Sequence, residues 1–398
     1  MDINLKGYST VIFIYIFVSF VFGNGTIPAM AAKVLLFMSM VLLFATTRKK
    51  LSNIIFIVWG GLFAGFCFLS KGWTVSPNDT NPMTITVLLS VICNSSFYYI
   101  LSINKISLKQ LFNWIIFASI FATIVYVLQN GFSFVGEAGR DLEHSGRNLN
   151  SIGYQCAVGA IACYYNYTKN KNAKFIWFAI YLLFFILLSG SRTALAFPLI
   201  FMGVYYVVSS PHVVSKLFIV SIVVVLLLFL VIKVDFLYNL IGYRVETLIW
   251  GVVGEDSMGD TDASTASRLK FIELGMEFFK ESPWLGFGLS TFGFISGFET
   301  YAHNNYVELL VGVGLIGCIL YYSIHLIMLK RYYTISKKYP WCHAPFFLGL
   351  LVATLIANYG NVSYFSLADN IMLSIMAVFI FERSEETLTP VKMIGKKK

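Results

Sequence analysis

Long apolar runs recur from one end of this 398-residue chain to the other, and they restrict its fold more than any other feature. Each run has roughly 17–25 residues, the length that a helix needs to cross a lipid bilayer. In lipid the backbone must satisfy its own hydrogen bonds, which an α-helix does within one segment. Only 12% of the residues are charged and 58% are hydrophobic, which excludes a soluble domain with an ordinary polar surface. The sequence therefore predicts an all-α polytopic membrane protein that forms a single membrane domain over residues 1–398.

We predict about twelve transmembrane helices from these runs. The first run is followed by Ala29-Met30-Ala31, which resembles the cleavage site of a signal peptide. Because further spans follow, we interpret the first run as a retained membrane anchor. The predicted spans lie at about 8–22, 29–46, 53–70, 83–103, 110–129, 151–167, 175–189, 192–209, 213–232, 303–329, 344–360 and 364–381.

Positive charge is distributed unevenly over the connections between these spans. Most Lys and Arg residues fall in alternate short connections and near the ends of the chain, as in 48–50, 169–174 and 392–398. Connections rich in Lys and Arg stay on the cytoplasmic side of a membrane. We therefore expect both termini to be cytoplasmic. The placement of the basic residues therefore indicates membrane topology, and the net charge of +9 does not indicate binding to nucleic acid.

Two long connections fall on the opposite, extracytoplasmic side. The first covers residues 130–150, and the second covers residues 233–302 between the ninth and tenth spans. Long loops on a rigid scaffold commonly carry function. The second loop is expected to contain amphipathic helices, one of which begins near Ser264 or Thr265 and ends before Pro283. The predicted apolar stripe of that helix consists of Leu269, Ile272, Met276 and Phe279.

Several basic residues break the charge pattern because they lie on the extracytoplasmic side, where an anionic ligand would explain them. Arg192 lies in the tight turn LLSGSRTALAFP between two spans. Its guanidinium group could donate several hydrogen bonds to phosphate oxygens. The alternative interpretation is an interfacial arginine that only anchors the end of a helix. The other basic residues on this side are Arg140, Arg147, Lys233, Arg244, Arg268, Lys270 and Lys280.

Arg268 and His303 complete the predicted catalytic site. Arg268 borders the apolar stripe of its helix, although it could also be an ordinary solvated arginine. His303 precedes the tenth apolar run, and an imidazole can take up a proton near neutral pH. The alternative for His303 is an ordinary interfacial histidine, and Glu308 is the second candidate for a general base. We predict that Arg192, Arg268 and His303 act together at one membrane surface.

Other motifs have simpler interpretations. Residues 312–317 match GxGxxG, but they lie inside an apolar run with no strand before them, so we predict close helix packing and no dinucleotide site. The six cysteines form no CxxC pair and are expected to be buried core residues. Asp260-Thr261-Asp262 resembles a metal site for nucleotide sugars, and we interpret it as a solvated acidic loop. We therefore predict no metal site.

The order of these features resembles the bacterial O-antigen polymerase and O-antigen ligase family, integral membrane glycosyltransferases of the GT-C type. The shared order is an arginine in SGSRTALAFPLIF, then SRLKFIELGMEFFKESPWLGFGLSTF in the large loop, then AHNNYVELLVGVGLIG at the next span. The resemblance covers about residues 150–320. The first five spans share only their hydropathy with this family.

The resemblance implies a GT-C-like fold and sugar transfer at the periplasmic face of the bacterial inner membrane. It implies that His303 activates the acceptor hydroxyl and that Arg192 and Arg268 bind the carrier diphosphate, without a metal or a cofactor. The implied partners are an undecaprenyl-diphosphate-linked oligosaccharide as donor and as acceptor, the lipid bilayer, a chain-length regulator and a flippase. The residues expected to bind diphosphate or glycan are Arg192, Arg268, Arg140, Arg147, Arg244, Lys270, Asn304 and Glu308.

The short segment between Pro283 and His303 favours a polymerase, which joins lipid-linked repeat units. The alternative is a ligase, which transfers the glycan from undecaprenyl diphosphate to lipid A-core. A more distant alternative is a transporter or a lipid-oligosaccharide flippase. Transporters typically carry paired ionisable residues at mid-membrane and repeated halves, whereas this sequence has few charges within its spans and no evident repeat.

Overall fold

A computed structural model describes residues 6–23, 26–47, 50–131, 149–209, 213–234 and 263–388, with three single positions between 235 and 262. Within these residues the chain is helical and has no strand. The helices are α1 (Lys6–Val21), α2 (Ile27–Thr46), α3 (Ile55–Leu69), α4 (Pro77–Asn104), α5 (Leu108–Asn130), α6 (Leu149–Asn170), α7 (Lys174–Ser189), α8 (Arg192–Val208), α9 (Val213–Lys233), α10 (Ala263–Glu281), α11 (Phe292–Ser296), α12 (Asn305–Lys338), α13 (Ala344–Ala357), α14 (Leu367–Phe381) and α15 (Ser384–Thr387).

Each of the twelve predicted spans coincides with one helix, namely α1–α9 and α12–α14. In the described part of the chain, five helices are long and apolar enough to cross a membrane: α2, α3 with its 3₁₀ extension, α4, α5 and α12. The helices α1, α7, α8, α13 and α14 are apolar but shorter. The structure therefore supports an all-α membrane protein, and the number of crossings stays a prediction.

The connections predicted to be cytoplasmic contact one another at one face of the bundle. The Glu382 carboxylate accepts hydrogen bonds from the backbone N–H groups of Ser52 (2.9 Å) and Asn53 (2.6 Å). The Arg383 guanidinium donates to the carbonyl oxygen of Ile106 (2.6 Å) and forms an ion pair with Glu386. We call Glu382, Arg383 and Glu386 the C-terminal clasp, because they join the α2–α3 and α4–α5 connections to the end of α14.

Helix α12 is interrupted at Gly314, whose φ of 63° is not helical. The segment after α10 enters this interruption and supplies backbone hydrogen-bond partners. The N–H of Leu315 donates to the carbonyl oxygen of Pro283 (2.8 Å), and the N–H of Phe287 donates to that of Val311 (2.9 Å). An interrupted membrane helix needs such partners because unsatisfied backbone groups are costly in lipid. Part of the predicted extracytoplasmic loop therefore packs against α12 several residues after the first turn of that helix.

The glycines of the GxGxxG motif permit this close approach. A Cβ atom at Gly314 would lie 2.3 Å from the carbonyl oxygen of Trp284, and one at Gly312 would lie 3.3 Å from that of Gly288. The prediction that the motif serves close packing is confirmed: Gly312 and Gly314 approach the loop after α10, and a Cβ atom at Gly317 would lie 3.1 Å from the Phe66 ring of α3.

Helix α10 has nearly the predicted bounds, but its predicted apolar stripe is only partly correct, because Ile272 packs against the buried cluster around Val307 while other members are exposed. Leu269 and Met276 are 37% and 38% exposed, whereas Phe271 is buried against α12. Gly275 sets this orientation, because a Cβ atom there would lie 2.2 Å from the Val307 side chain. A pattern based on large apolar side chains cannot reveal that a glycine lies at the point of closest approach.

Candidate functional site

Two adjoining cavities lie at the face opposite the C-terminal clasp. The small cavity has a volume of about 340 Å³ and is lined by Arg192, Arg268 and His303 together. The structure thus brings the three predicted catalytic residues to one space. The rest of its wall is mostly apolar and includes Ala196, Phe197, Ile200, Leu269, Ile272 and Ile356.

The large cavity has a volume of about 570 Å³ and is lined by many polar side chains together with apolar ones. It shares Thr193, Arg268, His303 and Gly360 with the small cavity. Its hydroxyl and amide groups come from α1, α5, α6, α8 and the α13–α14 connection. They include Ser19, Gln129, Asn150, Ser151, Gln155, Ser191, Asn361 and Ser366.

Arg192 is the first residue of α8, and the turn before it explains its position. Gly190 adopts a positive φ of 55° and ends α7. The Ser191 hydroxyl then caps α8 by accepting a hydrogen bond from the N–H of Ala194 (3.3 Å). The N-terminus of a helix carries a partial positive charge, which adds to that of the arginine. This end of α8 therefore favours a negatively charged ligand.

His303 lies in the turn that leads into α12 and has a left-handed backbone conformation, with φ of 51°. Its ring lies between two aromatic rings, with centroids 4.1 Å from Tyr301 and 6.3 Å from Phe271. A positive φ is uncommon for a residue with a side chain and costs about 1 kcal/mol or more. Strain of this kind persists only where neighbouring contacts hold the residue in place.

Hydrogen bonds on both sides of His303 supply those contacts. The Glu308 carboxylate is 2% exposed and accepts a hydrogen bond from the N–H of Ala302 (2.8 Å). The side chain of Asn304 caps α12 by accepting hydrogen bonds from the N–H groups of Tyr306 (2.9 Å) and Val307 (3.2 Å). Glu308 therefore holds Ala302, the residue before the histidine, and Asn304, the residue after it, is held by its own bonds to the first turn of α12.

The protonation state of His303 follows from its surroundings. Burial, together with the positive charge of Arg268, lowers the pKa of the imidazole to about 4. Both effects disfavour the protonated form. The ring is therefore neutral at pH 7 and able to accept a proton.

The connection between α13 and α14 forms a wall of both cavities that the sequence did not predict. The Asn305 amide oxygen joins it to the start of α12 by accepting hydrogen bonds from the N–H groups of Ser363 (2.9 Å) and Tyr364 (3.2 Å). Gly360 lies against α8, where a Cβ atom would be 2.4 Å from the Thr193 hydroxyl oxygen. The polar run NYGNVSYFSLADN, which overlaps the end of one predicted span and the start of the next, was the available signal.

Of the other residues predicted to bind diphosphate or glycan, only some line the cavities. Asn304 lines the small cavity, whereas Glu308 is absent from the linings of both cavities. Lys270 lies on α10 with its ammonium 5.2 Å from the ring centroid of Phe298, also outside both linings. The predicted residues Arg140, Arg147 and Arg244 lie outside the residues that the structure describes.

The described residues contain no group of three or more His, Cys, Asp or Glu side chains that could hold a metal ion. The six cysteines are free thiols, and all are buried except the half-buried Cys318. The prediction that they are core residues is therefore confirmed.

Comparison with known proteins gives one result. A family model described as O-antigen ligase matches residues 177–322, from within α7 to within α12. The matched part contains Arg192, Arg268 and His303. No curated protein matches the chain.

Proposed function

We propose that this chain, whose residues 177–322 match a family model described as O-antigen ligase, is a membrane glycosyltransferase of the O-antigen polymerase and ligase family whose donor is a glycan on undecaprenyl diphosphate. The observation that carries the proposal is the meeting of Arg192, Arg268 and His303 at one cavity with apolar walls. Phosphate-binding cations, a neutral base and an apolar surface are the groups that such a donor and its transfer require.

The small cavity suits the carrier end of the donor. The guanidinium groups of Arg192 and Arg268 can donate paired hydrogen bonds to the diphosphate oxygens and remain charged at every physiological pH. The start of α8 adds its partial positive charge at the same place. Phe197, Ile200 and Ile272 line the same cavity and offer the apolar surface that a polyprenyl chain needs.

The transfer would proceed as a displacement at the anomeric carbon of the donor. The acceptor hydroxyl oxygen forms a bond to this carbon while the bond from the carbon to the diphosphate oxygen breaks. The proton of the hydroxyl passes to the neutral imidazole of His303, and undecaprenyl diphosphate leaves with the bonding electron pair. Attack from the face opposite the leaving group inverts the anomeric configuration.

The charges at the site change in a direction that assists this step. In the empty site, burial and Arg268 keep the pKa of His303 near 4, so the ring is a weak base. A bound diphosphate places negative charge beside the ring and raises its pKa. The two arginines stabilise the charge that develops on the departing diphosphate, which is a large term in many enzymes. His303 therefore becomes a better base when the donor is bound.

Within this family, we propose that the protein is a polymerase and not a ligase. The segment from Pro283 to His303 is short, and much of it packs on α12 through backbone hydrogen bonds and the short helix α11. It therefore adds little structure beside the site for recognition of a lipid A-core acceptor. The ligase is the second candidate, because the matching family model is described as O-antigen ligase. In both cases we place the cavities at the periplasmic face of the inner membrane, with both termini in the cytoplasm.

A strain that lacks this gene distinguishes these candidates. Its surface lipopolysaccharide is separated on a gel, and the glycan bound to the lipid carrier is measured separately. A polymerase predicts lipid A-core with a single repeat unit and no ladder. Bare lipid A-core with long glycan on the carrier would indicate a ligase. Carrier-linked repeat units confined to the cytoplasmic leaflet would indicate a flippase and overturn the proposal.

A further inference from the structure

Tyr301 lies beside His303, which lines both cavities. Its side chain is 38% exposed and lines the large cavity, and its ring centroid is 4.1 Å from that of His303. The two rings are inclined by 42°, so they form adjoining and differently directed surfaces. A ligand in the large cavity that reaches the imidazole also reaches the tyrosine ring.

The surroundings of Tyr301 indicate the chemistry of that ligand. The lining of the large cavity contains side-chain hydroxyls such as Ser151 and Ser191 and amides such as Gln155 and Asn361. These groups donate and accept hydrogen bonds, which suits the hydroxyl groups of a sugar. An aromatic ring supplies the complementary contact, because one face of a sugar ring presents mainly C–H groups that pack on an apolar surface. The combination of a few placed polar groups and an aromatic surface is typical of a small-molecule site.

We propose that Tyr301 is a positioning residue for the acceptor: its ring packs against the acceptor sugar in the large cavity and directs one hydroxyl of that sugar to His303. This inference rests on the proposed function, since it assigns the two substrates to the two cavities. The diphosphate and lipid of the donor occupy the small cavity, and the acceptor sugar approaches from the large cavity. The shared residues Arg268 and His303 then lie at the point where the new bond forms.

The short distance between the two rings explains why a tyrosine at this position matters. A sugar that packs on Tyr301 is held beside the imidazole before the reaction begins, and placement of reacting groups lowers the barrier to transfer. The contribution comes from the face of the ring. Phenylalanine should therefore replace Tyr301 well, and an aliphatic side chain of similar bulk should not.

The test measures transfer by the purified full-length protein in detergent. The donor is the carrier-linked glycan extracted from the producing strain. The acceptor is the repeat unit released from its carrier and capped as a methyl glycoside, which lacks a diphosphate and can only accept. If the wild-type protein uses lipid A-core as its acceptor, that molecule replaces the capped unit. The variants are Tyr301→Phe and Tyr301→Leu, and each initial rate is measured while one substrate is varied.

We expect Tyr301→Leu to raise KM for the acceptor about tenfold and to leave KM for the donor within about twofold of the wild type. Tyr301→Phe should keep both values within about twofold. Phe294→Leu is the matched control, because Phe294 is a 60% exposed aromatic residue of the same loop that lines neither cavity. It should change neither constant.

Three results would overturn the inference: an unchanged acceptor KM in Tyr301→Leu, a rise in donor KM instead, or a Phe variant as impaired as the Leu variant. Each leaves the proposed function intact, because the wild-type protein still transfers glycan. An absence of transfer by folded wild-type protein with both acceptors would instead contradict the proposed function itself. The melting temperature of each variant in detergent is measured alongside, so that a loss of fold is not taken for a loss of binding.

Discussion

Arg383 and Arg268 lie at opposite faces of the helical bundle and use the same chemical group in different ways. The Arg383 side chain is only 4% exposed, pairs with Glu386 and donates to the carbonyl oxygen of Ile106. Arg268 is half-buried on α10 and lines both cavities. The first arginine joins separate parts of the chain, whereas the second faces space that a ligand can fill.

This difference separates two uses of positive charge in a membrane protein. At the clasp face, cations are expected from the topology rule, and Arg383 shows one used within the fold. At the cavity face, which we predict to be extracytoplasmic, cations oppose that rule. We propose that Arg192 and Arg268 serve there to bind the diphosphate of the donor.

The strongest test of this comparison is to replace each of the two arginines by alanine and to measure both the melting temperature and the rate of glycan transfer. Arg268→Ala should lower the rate of glycan transfer about 100-fold or more, because a cation opposite the leaving group is lost. Its melting temperature in detergent should stay close to that of the wild type. The matched variant Arg383→Ala should melt earlier, with a loss of about 2 kcal/mol, because a buried carbonyl oxygen and Glu386 lose their partner. The Arg383→Ala protein that remains folded should transfer glycan at nearly the normal rate.

The comparison fails if the two variants give the reverse pattern. Early melting of Arg268→Ala with a normal specific rate would make this arginine a structural residue. A large loss of rate in folded Arg383→Ala would show that the clasp face also takes part in transfer.

Variants of Glu308 test whether this residue keeps the proposed base, His303, in position. Its carboxylate contacts the backbone N–H of Ala302 and lies outside both cavity linings, so we expect it to act through the position of His303. Glu308→Ala should lower the transfer rate about tenfold, since the turn at His303 loses one of its restraints. Glu308→Gln retains an oxygen that can accept the same hydrogen bond and should recover most of the rate. Initial rates at saturating substrate measure both effects, and a glutamine variant as slow as the alanine variant would indicate that the carboxylate itself carries a proton.

The smallest expected effect is a change in the pKa of His303. Burial and the charge of Arg268 lower this pKa to about 4, so the imidazole stays neutral from pH 8 down to near pH 4 in the empty site. Arg268→Ala removes one of the two causes and should move the pKa upward, toward the ordinary value near 6.5. NMR titration of protein with ¹³C-labelled histidine measures this shift, and a His303→Asn sample identifies the resonance among the five histidines. An unchanged or lower pKa in Arg268→Ala would contradict the proximity of the two side chains.

The sequence predicted the helices and the meeting of three distant residues because both depend on simple patterns. Apolar runs of membrane length locate the helices, and the positions of basic residues outside the expected side locate the candidate cations. Arg192, Arg268 and His303 each lie at or near the end of a predicted element on the side that we predict to be extracytoplasmic. Elements that end at the same membrane surface can bring such residues together.

The remaining features depend on close backbone contacts that a hydropathy pattern does not contain. Gly275 turns the buried face of α10, and Gly314 opens α12 to the preceding loop. The wall formed by Gly360 depends on hydrogen bonds of Asn305 with residues more than fifty positions away in sequence. The roles predicted for Arg140, Arg147 and Arg244 lie outside the described residues and stay predictions.

The most direct test of the central claim is a transfer assay with purified wild-type protein and His303→Ala in detergent. The assay follows the release of undecaprenyl diphosphate from the carrier-linked glycan and the mass of the glycan product. We predict that the wild-type protein forms a longer glycan with one carrier released per transfer. We predict a loss of about 100-fold or more in His303→Ala, with the donor still bound and the melting temperature unchanged. Normal transfer by His303→Ala would contradict the account, because the site at the two cavities would then not be the place where the glycan is transferred.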